Sequence, residues 1–503
     1  MTFSFNLIEQ PWIPILWQDG RFEELSLWEA LTHAHEIQDL CGDTPLVTAA
    51  LYPLLLALLH RVYGPPDVAA WKALWQQGEF PPQPLEDYLK QWYESFDLFH
   101  PTHPFYQMQD ERLEAKSVIY LAEAIANTAA LFTHTTEEKD HGFMPAEAAR
   151  MLLVAQAFRL GGGVAGSGTP NFVGSVFVGG ILFFVKGGTL FETLMLNLMP
   201  YPSEIMPLAE DDKPVWENKI QRRGAKEMLF LAPQGYLDYL TWQTNHVWLF
   251  PEHSHEHVVT VRQVKIVPIA KLADETFSPQ KLYRRATDKD HYYALLFNET
   301  KAVWRDFHSF IAFDIEGYKL PAVIHWLARL RDEVLPNDTV YPLMAVGMLA
   351  DKAKPIFSRQ EEMPLPLALL GRPAAYSAIE QAVSHAETAA GKLRYAVEIL
   401  AHHVLMRGKE GKPDKNTLTN LVAQWDVLSL YWAQIEPSFW TFVMAVSHED
   451  SAALTVWHKT LRRTALDALE QATRMAGRGA WALRGQIEAE NALHGMLKKA
   501  FGD

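Results

Sequence analysis

The stretch that most restricts this chain is Arg159-Leu-Gly-Gly-Gly-Val-Ala-Gly-Ser-Gly-Thr-Pro170, where five glycines fall between Gly161 and Gly168. Glycine reaches positive φ without strain and lets a backbone lie close to another surface. So dense a cluster describes a loop whose main chain makes contacts. Upstream, Ala146 to Leu160 reads as a helix, with Met151, Val154 and Phe158 on one face. Downstream, Val173 to Val185 is rich in Val, Phe and Ile and reads as strand. The order is therefore helix, glycines, strand. Gly161 to Gly166 matches G-x-G-x-x-G, but a dinucleotide fingerprint needs the strand first and the helix after. No lysine lies in the segment, so it is not a P-loop, and no G-x-S-x-G nucleophile elbow occurs. Two readings remain: a helix-to-strand connector, or a backbone contact with a phosphate or a nucleic-acid groove.

At 503 residues the chain is too long for one core, and two or three domains are expected. Its net charge of −15 argues against a general polyanion binder. Any nucleic-acid contact must be local, or the chain must be one subunit of a more basic assembly. A single cysteine, Cys41, excludes an internal disulfide and a thiolate zinc cage, and fits a reducing cytoplasm. The N-terminus has no basic n-region followed by a long apolar run, so no signal peptide is expected. Leu51 to Leu59 is apolar but too short to span a bilayer; it reads as a buried helix, and no membrane partner is expected.

Along the chain, Trp12 to Trp17 and Arg21 to Glu23 flank Gln18-Asp19-Gly20 as a β-hairpin, and Ser26 with Glu29 forms a capping box. Helices are expected over Thr44 to Tyr63, Asp67 to Gln77 and Leu85 to Phe96, with a break at Pro81-Pro82. His100 and His103 sit in a proline-punctuated loop without further ligands at metal spacing, so packing is the expected role. Asn127 to Thr136 is small and polar around Phe132, a peg into its own protein or a wedge for a base step. Arg222, Arg223 and Lys226 make a basic spot, read as a solvated face or a phosphate contact. Tyr236 to Phe250 and Val258 to Ile269 read as paired strands around a His-rich turn, with Arg262 and Lys265 on the returning strand. Gly347 to Pro355 reads as a turn carrying Lys352 and Lys354. Prolines and a glycine punctuate Met363 to Pro373, and beyond them strand patterns vanish. Helices follow over Ser377 to Met406, Trp425 to Val446, the stripe Leu454, Trp457, Leu461, Ala465 and Ala468, and Ala480 to Lys499, with a basic loop from Arg407 to Lys415. The fold class is α+β. A large mixed α/β domain over residues 1–365, with irregular sheets and long loops, precedes a C-terminal four-helix bundle over residues 366–503.

Several of these segments, in this order, resemble one family. They are Asn6-Leu-Ile-Glu-Gln-Pro-Trp-Ile-Pro14, His103-Pro-Phe-Tyr-Gln107, the glycine segment with Gly179 to Leu198, Gly235-Tyr-Leu-Asp-Tyr-Leu-Thr-Trp-Gln243, and Leu430 to Phe439. The family is the large subunit, CasA, of the type I-E CRISPR surveillance complex, Cascade. The resemblance implies a non-catalytic subunit beside the crRNA 5′ handle. It would inspect the protospacer-adjacent motif in duplex DNA from the minor groove, begin strand separation and R-loop formation, and recruit a helicase–nuclease in antiviral defence. Its implied partners are crRNA, double-stranded target DNA, the backbone, handle-end and small subunits, and the helicase–nuclease.

By resemblance, the motif-reading residues fall on Gly161, Gly162, Gly163 and Ala165, with Arg262 and Lys265 as candidates for a hairpin cation. A strand-separating wedge falls on Lys352, where the family example has glutamine; lysine lacks the acceptor of an amide. Phe132, with Thr133 and His134, matches the working aromatic of a first loop near the crRNA handle and DNA. Some relatives hold zinc through cysteine pairs that this chain lacks, so neither metal nor cofactor is expected. Two other function classes stay open: a soluble enzyme binding a nucleotide or phosphate at the Gly161–Gly168 segment, and a protein-only scaffold. No two-metal carboxylate cluster, Ser/His/Asp order or Cys nucleophile supports the enzyme.

Overall fold

The computed structural model describes the chain except residues 1–2, 110–113, 122–141, 162–173, 203–204, 208, 219–228, 254–257, 274, 287–290, 352–353 and 503. It divides into two compact units, Met1–Asn298 with Glu316–Leu365, and Glu299–Ile315 with Pro366–Asp503. The second unit thus includes a segment, Glu299–Ile315, that lies inside residues 1–365.

The first unit opens with β1 (Ile13–Trp17) and β2 (Phe22–Leu25), joined by the expected hairpin, and α1 (Leu27–Thr32). Ser26 caps α1: the Glu29 backbone N–H donates to its hydroxyl, and the Glu29 carboxylate accepts from the Ser26 N–H. β3 (Ile37–Leu40) completes an antiparallel sheet in the order β2-β1-β3. α2 (Pro45–Val62), capped by Thr44, is the core of the unit, with Leu46 to Leu59 buried on every side. A helix apolar all round has to be enclosed. α2 is long and apolar enough to cross a membrane, yet most of it is packed inside this unit. α3 (Val68–Trp75) and α4 (Pro82–Gln91) follow. The Pro81-Pro82 break lies at the start of α4, where proline's missing N–H costs nothing.

Next come β4 (Lys116–Ser117), α5 (Pro145–Phe158), β5 (Leu182–Val185), α6 (Leu190–Asn197), β6 (Leu229–Leu231) and α7 (Tyr236–Leu240). The strand expected from Val173 is in fact short: Val176 to Gly180 forms turns and bends, and pairing begins only at Leu182. Tyr236 to Leu240, expected as strand, is a helical turn. Both oxygens of Asp212 accept its first free N–H groups, from Leu237 and Asp238. β7 (Asn245–His253) and β8 (Val259–Pro268) form a hairpin, extended by β4. β9 (Ala270–Leu272) pairs in parallel with β6. β10 (Tyr283–Arg285), β11 (Tyr292–Ala294) and β12 (Tyr318–Lys319) form a small sheet, and α8 (Ala322–Glu333) follows.

β13 (Val340–Asp351) and β14 (Lys354–Pro366) form a long hairpin, in the sheet order β14-β13-β5. The region from Gly347 to Asp351, expected as a turn, is therefore strand. A Cβ on Gly347 would sit 2.9 Å from the Gly180 carbonyl oxygen, so the glycine lets two backbones meet.

In the second unit, α9 (Pro373–Met406) packs along α10 (Lys415–Trp425), α11 (Val427–Ser447), α12 (Ala453–Ala476) and α13 (Ala480–Phe501). Four of these helices are long; α10, short and capped by Asp414, is not among the expected ones. Alanines 382, 386, 389 and 396 are fully buried on α9 and allow close approach. Trp457 and Tyr431 reach across to donate to the carbonyls of Ala382 (3.0 Å) and Ala386 (3.1 Å). The 3-10 segment Val303–Ile311 joins this unit through Trp304, whose ring centroid lies 4.6 Å from that of Phe439, and Arg305, 3.7 Å over the ring of Trp432.

Candidate nucleic-acid interface

α5 delivers the chain to the glycine segment. Its residues from Ala148 to Phe158 are all buried, so it is a core helix rather than the one-faced helix that the sequence suggests. The backbone turns extended at Arg159 (φ −60°, ψ 127°), and Gly161 is buried. Gly162, Gly163 and Ala165 lie outside the described residues, as do Phe132, Thr133, His134, Lys352 and the basic spot at Arg222, Arg223 and Lys226.

The two legs of the segment are bonded to each other. Ser175 N–H donates to the Arg159 carbonyl and Phe177 N–H to that of Ala157, each at 2.9 Å. The Ser175 hydroxyl donates to the Ala155 carbonyl at 3.1 Å. Gly174 has φ 119°, a backbone conformation that favours glycine.

Beneath these legs a buried amide pair ties α5 to the hairpin. Gln156 Nε2 donates to the Asn245 carbonyl at 2.8 Å, and Asn245 N–H donates to Gln156 Oε1 at 2.9 Å. The side chain thereby acts as one more rung of a ladder. Asn245 Nδ2 in turn donates to the Ala155 carbonyl (2.9 Å), and its Oδ1 accepts from Arg159 Nη1 (3.1 Å). Burial alone lowers the Arg159 guanidinium from its ordinary range to about 10. At the other end of α5, Phe143 exchanges both backbone hydrogen bonds with Val261 of β8 (2.9 and 2.8 Å). α5 is thus fixed to the β7–β8 hairpin at both ends.

A bulge sets the face of that hairpin. The register slips between Phe250 and Pro251, which face Gln263 and Val261, so that Arg262 is the extra residue of β8. An extra residue reverses the alternation beyond it. Arg262 and Lys265, three apart, therefore share the partly exposed face with Trp248 and Phe250, while Val261, Val264 and Ile266 are buried. Arg262 Nε meets Glu252 at 2.8 Å. Lys265 Nζ lies 4.9 Å from the centroid of the Trp248 ring and 5.6 Å from that of Phe250. A cation over ring faces keeps its charge available at its outer side.

His103 to Gln107 is structural. Gln107 Nε2 donates to the Leu98 carbonyl (2.7 Å) and its Oε1 accepts from Leu249 N–H (2.8 Å), docking that loop on β7. His100 and His103 stack with centroids 5.7 Å apart, and His100 Nδ1 accepts from the His103 N–H at 3.0 Å. Among the described residues, no three His, Cys, Asp or Glu side chains converge as metal ligands. The buried carboxylates are engaged. Glu217 takes both Arg61 (2.6 and 3.0 Å) and the Tyr88 hydroxyl (2.5 Å), Asp212 caps α7, Asp238 accepts from Gln234 N–H (2.9 Å) and Asp306 pairs with Lys301 (2.7 Å).

Sequence reasoning passed over Gln156, Asn245 and Lys281 and gave Arg159 no role. The signal for Gln156 was present: it is the one amide in an otherwise apolar helical run, and a lone polar group there must find buried partners. Asn245 and Lys281 bond to residues far away in sequence, and no local pattern announces them.

The family model for CRISPR-associated protein Cse1 matches residues 6–468 of this chain. A CRISPR-associated protein CasA/Cse1 from Thermus thermophilus is 33% identical, covering 98% of this chain and 97% of the relative. The crystal structure of Thermus thermophilus CasA superposes with a TM-score of 0.81 at 30% identity, over 99% of this chain and 100% of that one. The Cse1 structure from Acidimicrobium ferrooxidans has a TM-score of 0.82 at 24% identity, over the whole of both chains, a likeness of fold.

Proposed function

The chain belongs to the CRISPR-associated Cse1 (CasA) family, and we propose that it is the non-catalytic large subunit of a cytoplasmic crRNA-guided surveillance complex that reads a short motif in duplex DNA through the minor groove. In this reading Gly161, Gly162, Gly163 and Ala165 lay backbone amides and small side chains against the groove floor, which offers few groups that distinguish bases. Sequence beyond the motif is left to RNA–DNA pairing. Lys352, which falls between β13 and β14 in the chain, is the candidate wedge for strand separation. Phe132, Thr133 and His134 serve the crRNA handle, and the second unit serves neighbouring subunits and the helicase–nuclease.

The observation that carries this reading is the clamp at the base of the glycine segment. Its legs are bonded at Arg159–Ser175 and Ala157–Phe177, and the helix beneath is fixed to a hairpin bearing two cations. A mere connector has no need of so rigid a mount. Of those cations, Lys265 is the stronger candidate for phosphate, because Arg262 already holds Glu252. A phosphate-binding enzyme has less support: among the described residues each buried carboxylate already accepts at least one hydrogen bond within the fold, and no three potential metal ligands converge.

The test is the affinity of the assembled complex for duplexes with randomised bases beside the target, over a salt series. The reading expects a preferred short motif and log affinity falling by about 0.9 per log unit of salt for each phosphate contacted. Gly162→Asp should abolish the preference while assembly survives, since a carboxylate repels the backbone. Motif-independent binding, or a Gly162→Asp complex with wild-type affinity, would remove the segment from DNA recognition.

A further inference from the structure

Two stretches that stood out in the sequence, His103 to Gln107 and the end of Gly235 to Gln243, meet in one cleft of the first unit. The cleft holds about 390 Å³, which is within the usual range for a small-ligand pocket. Ring surfaces come from Trp92, Tyr106 and Trp216, and polar edges from Gln109, Asn218 and Gln243. The walls are held from behind. Trp216 Nε1 donates to the Tyr88 hydroxyl at 2.7 Å, and that hydroxyl donates to Glu217, which Arg61 also holds. Gln107 docks its loop on β7, and Gln109 Nε2 ties the same loop to the Pro101 carbonyl at 2.6 Å. Tyr106 is kept at φ 54°, which a residue other than glycine adopts only where its surroundings impose it. A cleft built in advance binds without first ordering its own side chains.

The fold leaves the polar edges of this cleft unused. Among the described residues, the Trp92 indole N–H and the side-chain amides of Asn218 and Gln243 have no hydrogen-bond partner, and Gln109 commits only its Nε2. No lysine, arginine, aspartate or glutamate among the described residues lines the cleft. Nothing there neutralises a phosphate, a carboxylate or an ammonium group. The lining suits a flat, uncharged ring with hydrogen-bonding edges, whose phosphates stay outside.

We propose that this cleft takes an unstacked adenine from a single-stranded nucleic acid. The inference rests on the reading of the chain as a nucleic-acid-binding subunit. Stacking on an aromatic ring serves any base, so the edge has to select. A side-chain amide sets a donor beside an acceptor. Adenine answers with such a pair on both of its edges, N6–H with N7 and N6–H with N1, so two amides, Asn218 and Gln243, can be met at once. The other bases present that pairing on one edge only. Guanine shows two acceptors at its N7 edge, where arginine or lysine is the usual reader, and the cleft supplies neither.

The experiment titrates the full chain with short labelled single strands of equal length, composed of rA, dA, rC or rU, and with an abasic strand, and reads fluorescence anisotropy. Adenine strands should bind roughly 5- to 150-fold tighter than rC and rU, the span of one two-bond amide–base contact. Gln243→Leu should bring rA down to the level of rC and leave rC where it was. Trp92→Ala should weaken every base-bearing strand, and Trp92→Phe should recover most of that loss. Tighter rA than dA assigns the site to a guide strand, and the reverse assigns it to separated DNA; either supports the inference. An abasic strand bound as tightly as rA, no binding of rA at all, or an adenine preference that survives both Gln243→Leu and Asn218→Leu overturns it. Should the variants fail to fold, hydrogen exchange of the wild-type chain decides: rA should slow the peptide covering Trp92 to Ser95 and the abasic strand should not, and equal protection by both refutes the site. Motif-dependent duplex binding by the assembled complex is measured alongside. Its absence sinks the functional reading, and its presence beside a chain indifferent to adenine sinks this inference alone.

Discussion

Replacing Gln156 by leucine should loosen the seat of the glycine segment without opening a cavity, because leucine nearly refills the space. What disappears is the two-way amide bond to Asn245, whose N–H and carbonyl would both be left unpaired in the interior. Each abandoned buried group costs about 1–3 kcal/mol, so the pair costs about 2–6 kcal/mol. The bond from the Thr244 hydroxyl to the Gln156 backbone carbonyl (3.1 Å) survives and keeps the loss from spreading along the helix. Amide hydrogen exchange reads the effect directly. A loss of about 1.4 kcal/mol in local opening is about tenfold in rate, so the peptide covering Asn245 to Leu249 should exchange roughly 30- to 20,000-fold faster. Peptides from α9 and α12 in the second unit should be unchanged. An acceleration below about threefold at Asn245 would show that the amide pair is not what fixes the segment to the hairpin.

Two further outcomes test the frame. His60 has its Nε2 enclosed and without a hydrogen-bond partner, against the ring of Tyr236, and burial lowers it to about 4. The unfolded chain binds that proton near 6.5, so stability should fall as pH drops from about 6.5 towards 4, by about 3 kcal/mol at most. His60→Phe should flatten this part of the denaturation profile, and an identical profile would refute the assignment. Gly347→Ala would push a methyl to 2.9 Å from the Gly180 carbonyl, and overpacking against backbone costs about 1–3 kcal/mol; an unaltered melting temperature would mean that β13 does not approach Gly180 so closely.

How far these features could be read beforehand depended on the reach of the bonds that create them. The cap at Ser26 was legible because donor and acceptor lie three residues apart, and the ends of α2 because Thr44 signals its own helix. Tyr236 to Leu240 carries strand-forming aromatics yet coils, because Asp212, 25 residues upstream, accepts its free N–H groups. The apolar run before Val185 pairs only from Leu182, because that is where β13 passes. Gly347 suggested a turn by composition, while its use is the close approach of another backbone. The candidate site shows the same divide. The glycines and the cations of the returning strand stood out in the sequence, but the shared face of Arg262 and Lys265 needs a bulge that alternation alone does not reveal.

Charge in this chain is organised by pairing rather than by amount. In the second unit, Arg394, Arg474 and Arg484 each reach a glutamate one helical turn away, Glu398, Glu470 and Glu488. Such exposed pairs contribute little stability, and they cancel each other's field. Those arginines therefore create no single-sign patch, despite their number. Lys265 is arranged differently: among the described residues its ammonium lies over the rings of Trp248 and Phe250 rather than against a carboxylate, on the hairpin to which Gln156 fixes α5. A cation held over aromatic faces and not cancelled by a neighbouring carboxylate is what an acidic chain needs to meet an anion at one spot.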